Sequence, residues 1–498
     1  MFRKEKEQYL SRSFKYLEAK VLWAAPTFIC VMLGAATIVG AAIGLSQPAQ
    51  ALPSFARQTG QPCGTCHTDY PGLTPYGRLF KLNGYTAGGG KFRTTLFPSW
   101  SDPDNALAAY AKKTDGGNRT TLSGQPDTSN IWVPPIAAMA VFAYTHTQAP
   151  QYDLDPWLKP NDNFTIPEVS LFWAGAVIPH IGAFSQWTYD GHQYWGWDNQ
   201  DIRYSNTGKL GNMDVVYGVT LDNNPTVGDP WNTVPAWGFP YMSSEGIAAE
   251  TPGPLIDGGM EMAVAGLGAY GFFDNLVYLK ASGYRSINPN TLVSLGAGPS
   301  DAGSIAGVAP YWRAAIEPHW GRHWLEFGTF GMSARLHPWI DADNFIQSDQ
   351  TDRYTDIAFD TQYQYQGDNF WLTLRGTYIH ENQSLTATNM LDPSIYPSGT
   401  LNTLKLYGSF AYGGDNRIIL SGQYFDVWGS ANPNFYDGDA EGFVGEISYI
   451  PFMNHFAPLW PWANVRLGAK YTYYSKFEGT SVGAQDHNTF FLYAWVAM

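Results

Sequence analysis

The chain has 498 residues, 44% hydrophobic and 16% aromatic, but only 14% are charged and the net charge is −14. A mean hydropathy of −0.24 excludes a helical membrane protein, which would show repeated apolar runs of about 20 residues. The low charge content also sits poorly with an ordinary α/β enzyme, in which about a quarter of residues are charged, whereas abundant Tyr, Trp and Gly point to strands with one face on an apolar medium.

Residues 1–51 read as a secretory signal. Arg3, Lys4, Lys6, Arg12, Lys15 and Lys20 form a basic region, Val21 to Leu45 is apolar, and Ala49-Gln50-Ala51 offers small residues for cleavage. An uncleaved membrane anchor is the alternative, because the apolar stretch is long for a signal. Cleavage would remove six basic and three acidic residues, taking the charge from −14 to −17, and would remove Cys30, one of three cysteines.

The two cysteines that remain lie in Cys63-Gly64-Thr65-Cys66-His67, the C-x-x-C-H pattern of c-type haem attachment. Two thiols at this spacing reach the two vinyl groups on one porphyrin edge, and the next residue supplies an imidazole to the iron. A structural disulfide or a redox CxxC would use the same cysteines, but the thioredoxin-like βαβ context is missing. The expectation is one covalent haem c, with Cys63 and Cys66 as attachment sites and His67 as proximal ligand.

Residues 52–97 form the expected small helical, cytochrome-like segment, with helix-compatible sequence at Pro53–Gly60 and Tyr76–Asn83, and residues 98–130 read as polar linker. No methionine occurs between Leu52 and Asn130, and His67 is the only histidine there. The sixth iron position is therefore open, taken by Lys81, Lys91 or a tyrosine, or supplied by the next domain through His146, Met139, His180 or His192. His146 is carried forward as the candidate distal ligand. So short a segment cannot bury a haem alone and should lean on something larger.

Residues 131–498 show period-two alternation typical of an outer-membrane β-barrel. Sixteen runs start near residues 135, 166, 180, 198, 212, 260, 275, 309, 322, 353, 369, 402, 416, 441, 463 and 487. Tight turns are expected at Pro179, Asn206–Lys209, Asp274–Asn275, Gly321, Gly367–Asn369 and Gly413–Asp415. Longer loops are expected at 221–259, 286–309, 337–352 and 381–401. A soluble sandwich or propeller would also alternate, though rarely with strands so long, aromatic-ended and poor in charge. The fold class expected is an all-β transmembrane barrel of about sixteen antiparallel strands, preceded by the haem segment, which can enter the lumen from the short-turn, periplasmic rim.

Phe55-Ala56-Arg57-Gln58-Thr59-Gly60, Cys63 to His67, Pro71, Leu73 and Gly77-Arg78-x-Phe80-Lys81-x-x-Gly84-Tyr85 closely resemble the haem segment of the monohaem cytochrome–porin fusions of iron-oxidising bacteria. The resemblance implies an outer-membrane electron-transfer protein that takes electrons from extracellular Fe(II) and passes them to a periplasmic cytochrome or copper protein. Beyond Tyr85 the likeness is one of architecture only. Outer-membrane lipid is the expected environment, and no nucleic-acid partner is expected.

Two other functions compete: a solute porin whose haem segment is a plug, and export of electrons to an extracellular acceptor. An anion porin would use lumen cations such as Arg313, Arg322, Arg335, Arg375, Arg417 and Arg466. Asp190, His192, Asp198 and Asp201, and Asp437, Asp439 and Glu441, are candidate iron-attracting clusters, although acidic loops are more often solvated surface. His319-x-x-x-His323 has helical metal-site spacing, but Gly321 makes a turn the better reading.

Overall fold

Alternation carried over more than ten residues, with polar residues on one face and apolar ones on the other, can be satisfied by a closed sheet with a polar interior and an apolar exterior. The computed structural model describes residues 53–86, 135–152, 158–178, 180–189, 191, 195–242, 244, 253–414, 417–430, 438–454 and 459–498. The expected signal and linker, Lys91, Asp190, His192 and Asp437 lie outside them.

Sixteen strands make the wall: β1 (Ile136–Thr147), β2 (Asn163–Ile178), β3 (Ile181–Tyr189), β4 (Trp195–Leu210), β5 (Met213–Asp222), β6 (Val264–Phe273), β7 (Val277–Ser286), β8 (Ala309–Ile316), β9 (His323–His337), β10 (Asp352–Gln366), β11 (Phe370–Ser384), β12 (Ser398–Tyr412), β13 (Arg417–Gly429), β14 (Ala440–Ile450), β15 (Asn464–Lys476) and β16 (Thr489–Ala497). Each pairs antiparallel with the next, and β16 closes on β1 through the register Met139↔Ala497 to Thr147↔Thr489. The expected barrel and its strand number are both present.

The wall is inverted relative to a soluble protein. On β14, Phe443, Ile447 and Tyr449 face outward and exposed, while Glu446 and Ser448 are buried inward. On β10, Ile357 and Phe359 face out, and Asp356, Asp360, Gln362 and Gln364 face in. An outer surface of this kind is stable only against lipid. One rim carries mainly tight turns, such as the three-residue reversal at 274–276, where Asp274 and Asn275 take positive φ of 50° and 54°, a region Asp and Asn tolerate better than most residues. The other rim carries connections such as 148–162 and 287–308.

Two expectations fail here. Asn206–Lys209 is not a turn but part of β4, which continues to Leu210 and pairs Leu210↔Met213; the chain reverses at 211–212, where Gly211 has φ 64°. The long connection after β5 is not a surface loop either. Residues 223–234 are buried throughout, because this segment folds into the lumen. There Asp229 pairs with Arg313 of β8 at 2.7 Å, Trp231 Nε1 donates to Glu317, and Thr377 Oγ1 donates to the Thr233 carbonyl at 2.6 Å.

Residues 53–86 share that lumen as three short helices: α1 (Pro53–Thr59), the single turn α2 (Cys63–Cys66) and α3 (Pro75–Leu82). Prolines at the first positions of α1 and α3 suit helix starts, and the Thr74 hydroxyl caps α3 by accepting from Gly77 N at 3.2 Å. Gln58 bonds the β2 backbone twice, Nε2 donating to Ala174 O at 2.8 Å and Oε1 accepting from Ala176 N at 3.0 Å. Arg78 pairs with Glu317 at 2.8 Å, and Tyr85 donates to Asp201 at 2.5 Å. The wall is cut back where the segment presses on it: a Cβ on Gly182 of β3 would lie 1.8 Å from the Gly84 carbonyl oxygen. Since that oxygen is backbone, Gly182→Ala is expected to displace the end of the segment at a cost of about 1–3 kcal/mol. Faster protease cleavage within 53–86, with the barrel still resistant, is the measurement.

Candidate functional site

One turn of helix places Cys63 and Cys66, three residues apart, on the same side. The turn ends where His67 leaves helical geometry (φ −121°, ψ 135°) while its N–H still donates to Cys63 O. His67 and Leu73 then form an antiparallel bridge, and Thr68 N donates to Gly72 O at 3.1 Å, so 67–73 is a small closed loop. α3 packs straight onto the motif: a Cβ on Gly77 would lie 2.2 Å from the Cys66 carbonyl oxygen.

Cys63, Cys66 and His67 all line one cavity, walled mostly by apolar and aromatic side chains. Phe55, Phe80 and Tyr85 wall it from the helical segment, Trp231 and Trp237 from the in-folded loop, and Phe184 from β3. The wall thus comes from three parts of the chain, and the segment depends on the barrel for its burial. His67 also borders a larger void, lined in part by Tyr70, Met139, Trp495 and the acidic Glu168, Asp198 and Glu261.

The two thiols are not joined. Burial pushes both up, Cys66 to about 12, and lowers the His67 imidazole to about 4, leaving a neutral ring of the kind that binds metal. His67 Nδ1 is 3.3 Å from Gly72 O. A carbonyl at that nitrogen fixes the ring and reserves Nε2 for a ligand. Two thiols for thioether bonds and an oriented neutral imidazole for an iron, converging on one aromatic-walled cavity, fit the attachment of a c-type haem.

The barrel grips the loop after the motif. Arg417 Nη1 donates to His67 O at 2.6 Å and Thr68 O at 2.5 Å, Arg466 donates to Tyr70 O, and Asn464 Nδ2 donates to Tyr70 Oη at 2.7 Å with Cys63 Sγ at 3.7 Å. Sequence reading named Arg417 and Arg466 only as lumen cations and did not name Asn464.

The candidate sixth ligands separate clearly. His146 is not brought to the site: it lies ten residues along β1 from Ile136, whose carbonyl accepts from Arg57, so it sits about 33 Å further up the strand. There its Nδ1 pairs with Asp162 at 2.8 Å. His180 is at the β2–β3 turn with Nδ1 3.2 Å from Ser205 O. Lys81 lines the same cavity as Cys63, Cys66 and His67, its Nζ donating to Val227 O at 2.7 Å and lying 4.4 Å from the Trp237 ring centre; burial lowers its ammonium to about 7. Met139 borders the larger void and its sulfur accepts from Trp495 Nε1 at 3.1 Å.

Of the acidic clusters, the described members are engaged with neighbouring side chains, Asp190, His192 and Asp437 lying outside the described residues. Asp201 is buried against Arg203 at 2.7 Å, Asp198 accepts from Thr188 Oγ1 at 2.6 Å, Asp439 pairs with Lys476 at 2.6 Å, and Glu441 accepts from Tyr424. Among the described residues no three His, Cys, Asp or Glu are grouped to hold a metal ion. His319 and His323 flank a tight turn, with Gly321 at φ 56°. Of the remaining lumen candidates, Arg313 and Arg375 are buried inside, whereas Arg322 is exposed with Asp368 and Arg335 is exposed.

No family model matches the chain, and no curated protein does. Among solved structures it is similar to a loop-deleted form of OmpT, an outer-membrane protein of Vibrio cholerae, at 10% identity over 73% of this chain and 98% of that one (TM-score 0.38). It is similar also to Salmonella typhi OmpF in complex with daunomycin, at 10% identity over 73% and 97% (TM-score 0.38). The outer-membrane channel DcaP of Acinetobacter baumannii matches at 10% identity over 73% and 96% (TM-score 0.37).

Proposed function

We propose that this chain is an outer-membrane electron-transfer protein, carrying one covalent haem c in the barrel lumen, that takes electrons from extracellular Fe(II) for a periplasmic cytochrome or copper protein. The observation that carries the reading is the convergence of Cys63, Cys66 and His67 on one cavity walled jointly by the helical segment and the barrel. Cys63 and Cys66 would hold the group by thioethers and His67 would bind its iron. The bound haem supplies a one-electron couple. The chain's own residues hold it: Gly72 O orients the imidazole, Arg417 and Asn464 fix the loop, and aromatic side chains exclude water. A redox group held inside a closed wall could pass electrons between partners on the two sides of the membrane.

Free solute diffusion is the weaker reading, because two separate segments occupy the lumen and both are pinned by buried ion pairs. Export of electrons uses the same site and differs only in partners. The test is to add Fe(II) to the purified, oxidised protein and follow the haem absorption bands. Reduction supports the reading. A haem-bearing protein that Fe(II) leaves oxidised rejects the donor, and a protein without haem rejects the site.

A further inference from the structure

Most lumen arginines answer a carboxylate. Arg203 pairs with Asp201, Arg313 with Asp229, Glu326 and Asp360, and Arg466 with Glu446. Arg417, like Arg375, makes no such ion pair: among the described residues no carboxylate lies within 4 Å of its guanidinium, the nearest influence being the buried Asp69, which Arg466 reaches at 3.9 Å, and the residue is only 5% exposed. Its hydrogen bonds run to the carbonyls of Gly413, His67 and Thr68. A Cβ on Gly64, inside the C-x-x-C-H turn, would lie 3.0 Å from its Nη2, so the cation lies directly against the haem motif. It comes from the first residue of β13, 350 positions away from His67.

We propose that Arg417 is a positioning residue of the haem site that also sets its potential: the barrel wall supplies both the clamp on the loop bearing His67 and a buried positive charge that favours the reduced cofactor. This rests on the haem reading above. The positioning follows from the bifurcated grip on His67 O and Thr68 O, which fixes the backbone from which the imidazole projects. The electrostatic role follows from charge. Oxidised haem carries one more positive charge than reduced haem, and a neighbouring cation without a carboxylate partner disfavours the oxidised form. Removing the charge therefore lowers the potential.

The experiment is redox titration of the full-length, haem-loaded protein in detergent, comparing native chain with R417Q and R417K. R417Q is expected to shift the reduction equilibrium roughly tenfold toward the oxidised form, about 59 mV for a one-electron couple. R417K, which keeps the charge but loses the planar fork, is expected to restore most of that shift. Should R417Q fail to insert, R417M keeps side-chain bulk without a buried amide and carries the same expectation. A neutral variant that holds its haem at the native potential overturns the proposal. Absence of covalent haem in the native chain rejects the underlying reading instead, so the two failures are told apart.

Discussion

Serine at both Cys63 and Cys66 is expected to give a chain that folds and inserts but carries no covalent haem, and whose Fe(II)-dependent absorbance change falls to background. The argument is chemical. A thioether needs sulfur, and an oxygen of similar size in the same place leaves His67 to hold the group alone. The barrel does not need the thiols. They sit partly buried on a one-turn helix whose place is set by backbone bonds, with Gly64 N donating to Met453 O at 2.9 Å and Thr74 N to Cys66 O at 2.9 Å. The stability change should therefore stay within about 1 kcal/mol. Either single serine variant should retain one linkage. Haem-stained gels and the absorption of the alkaline pyridine adduct measure attachment, and the heat-induced mobility shift measures folding. A double variant that still holds haem through denaturation would contradict the assignment of both cysteines.

The barrel was legible in the sequence because period-two alternation repeats over the whole length of each strand. Sixteen expected starts fall within four residues of the observed ones, from Ile136 to Thr489. A one-residue slip would turn every lumen carboxylate toward lipid, so register is strongly specified. Local signals misled where a residue's partner is distant. Asn206–Lys209 has the composition of a turn, yet ten paired positions with β5 keep it in strand. The loop after β5 is rich in Asp, Asn and Pro and reads as surface, but Asp229 meets Arg313 84 positions later and Trp231 meets Glu317 86 positions later.

The same division holds at the site. Cys63, Cys66 and His67 announce themselves by spacing within five residues, and the need for outside burial follows from the segment's size. What completes the cavity does not. Trp231, Trp237, Arg417 and Asn464 are isolated residues in unrelated stretches, and only barrel closure brings them to the motif. His146 looked close because it follows soon in sequence, but an extended strand moves about 3.3 Å per residue, and β1 carries it to the opposite rim.

Arg313→Leu should give the largest loss of stability and should open the lumen. Its guanidinium contacts Asp229 at 2.7 Å, Asp360 at 2.5 Å and Glu326 at 3.1 Å, all nearly inaccessible to solvent, and lies 5.2 Å from the Trp231 ring centre. One cation therefore answers three carboxylates from three places: the in-folded loop, β9 and β10. Removing one partner of a buried ionic group costs about 3–5 kcal/mol, because the charge left behind is uncompensated. The strands are locked by their ladders, so the strain should fall on the loop, which can move. Residues 223–242 are expected to detach, raising single-channel conductance severalfold in planar bilayers and exposing Trp231 to aqueous quenchers. Since Trp231 and Trp237 wall the cavity that Cys63 and His67 face, the environment of a bound haem should change in the same variant. Adding D229N, E326Q and D360N to the substituted chain should recover most of the stability, because neutral groups of the same shape carry no charge to strand. Recovery of stability without return of the conductance to its native value would show that charge alone destabilised the wall and that the Asp229–Arg313 ion pair is what holds the loop in place.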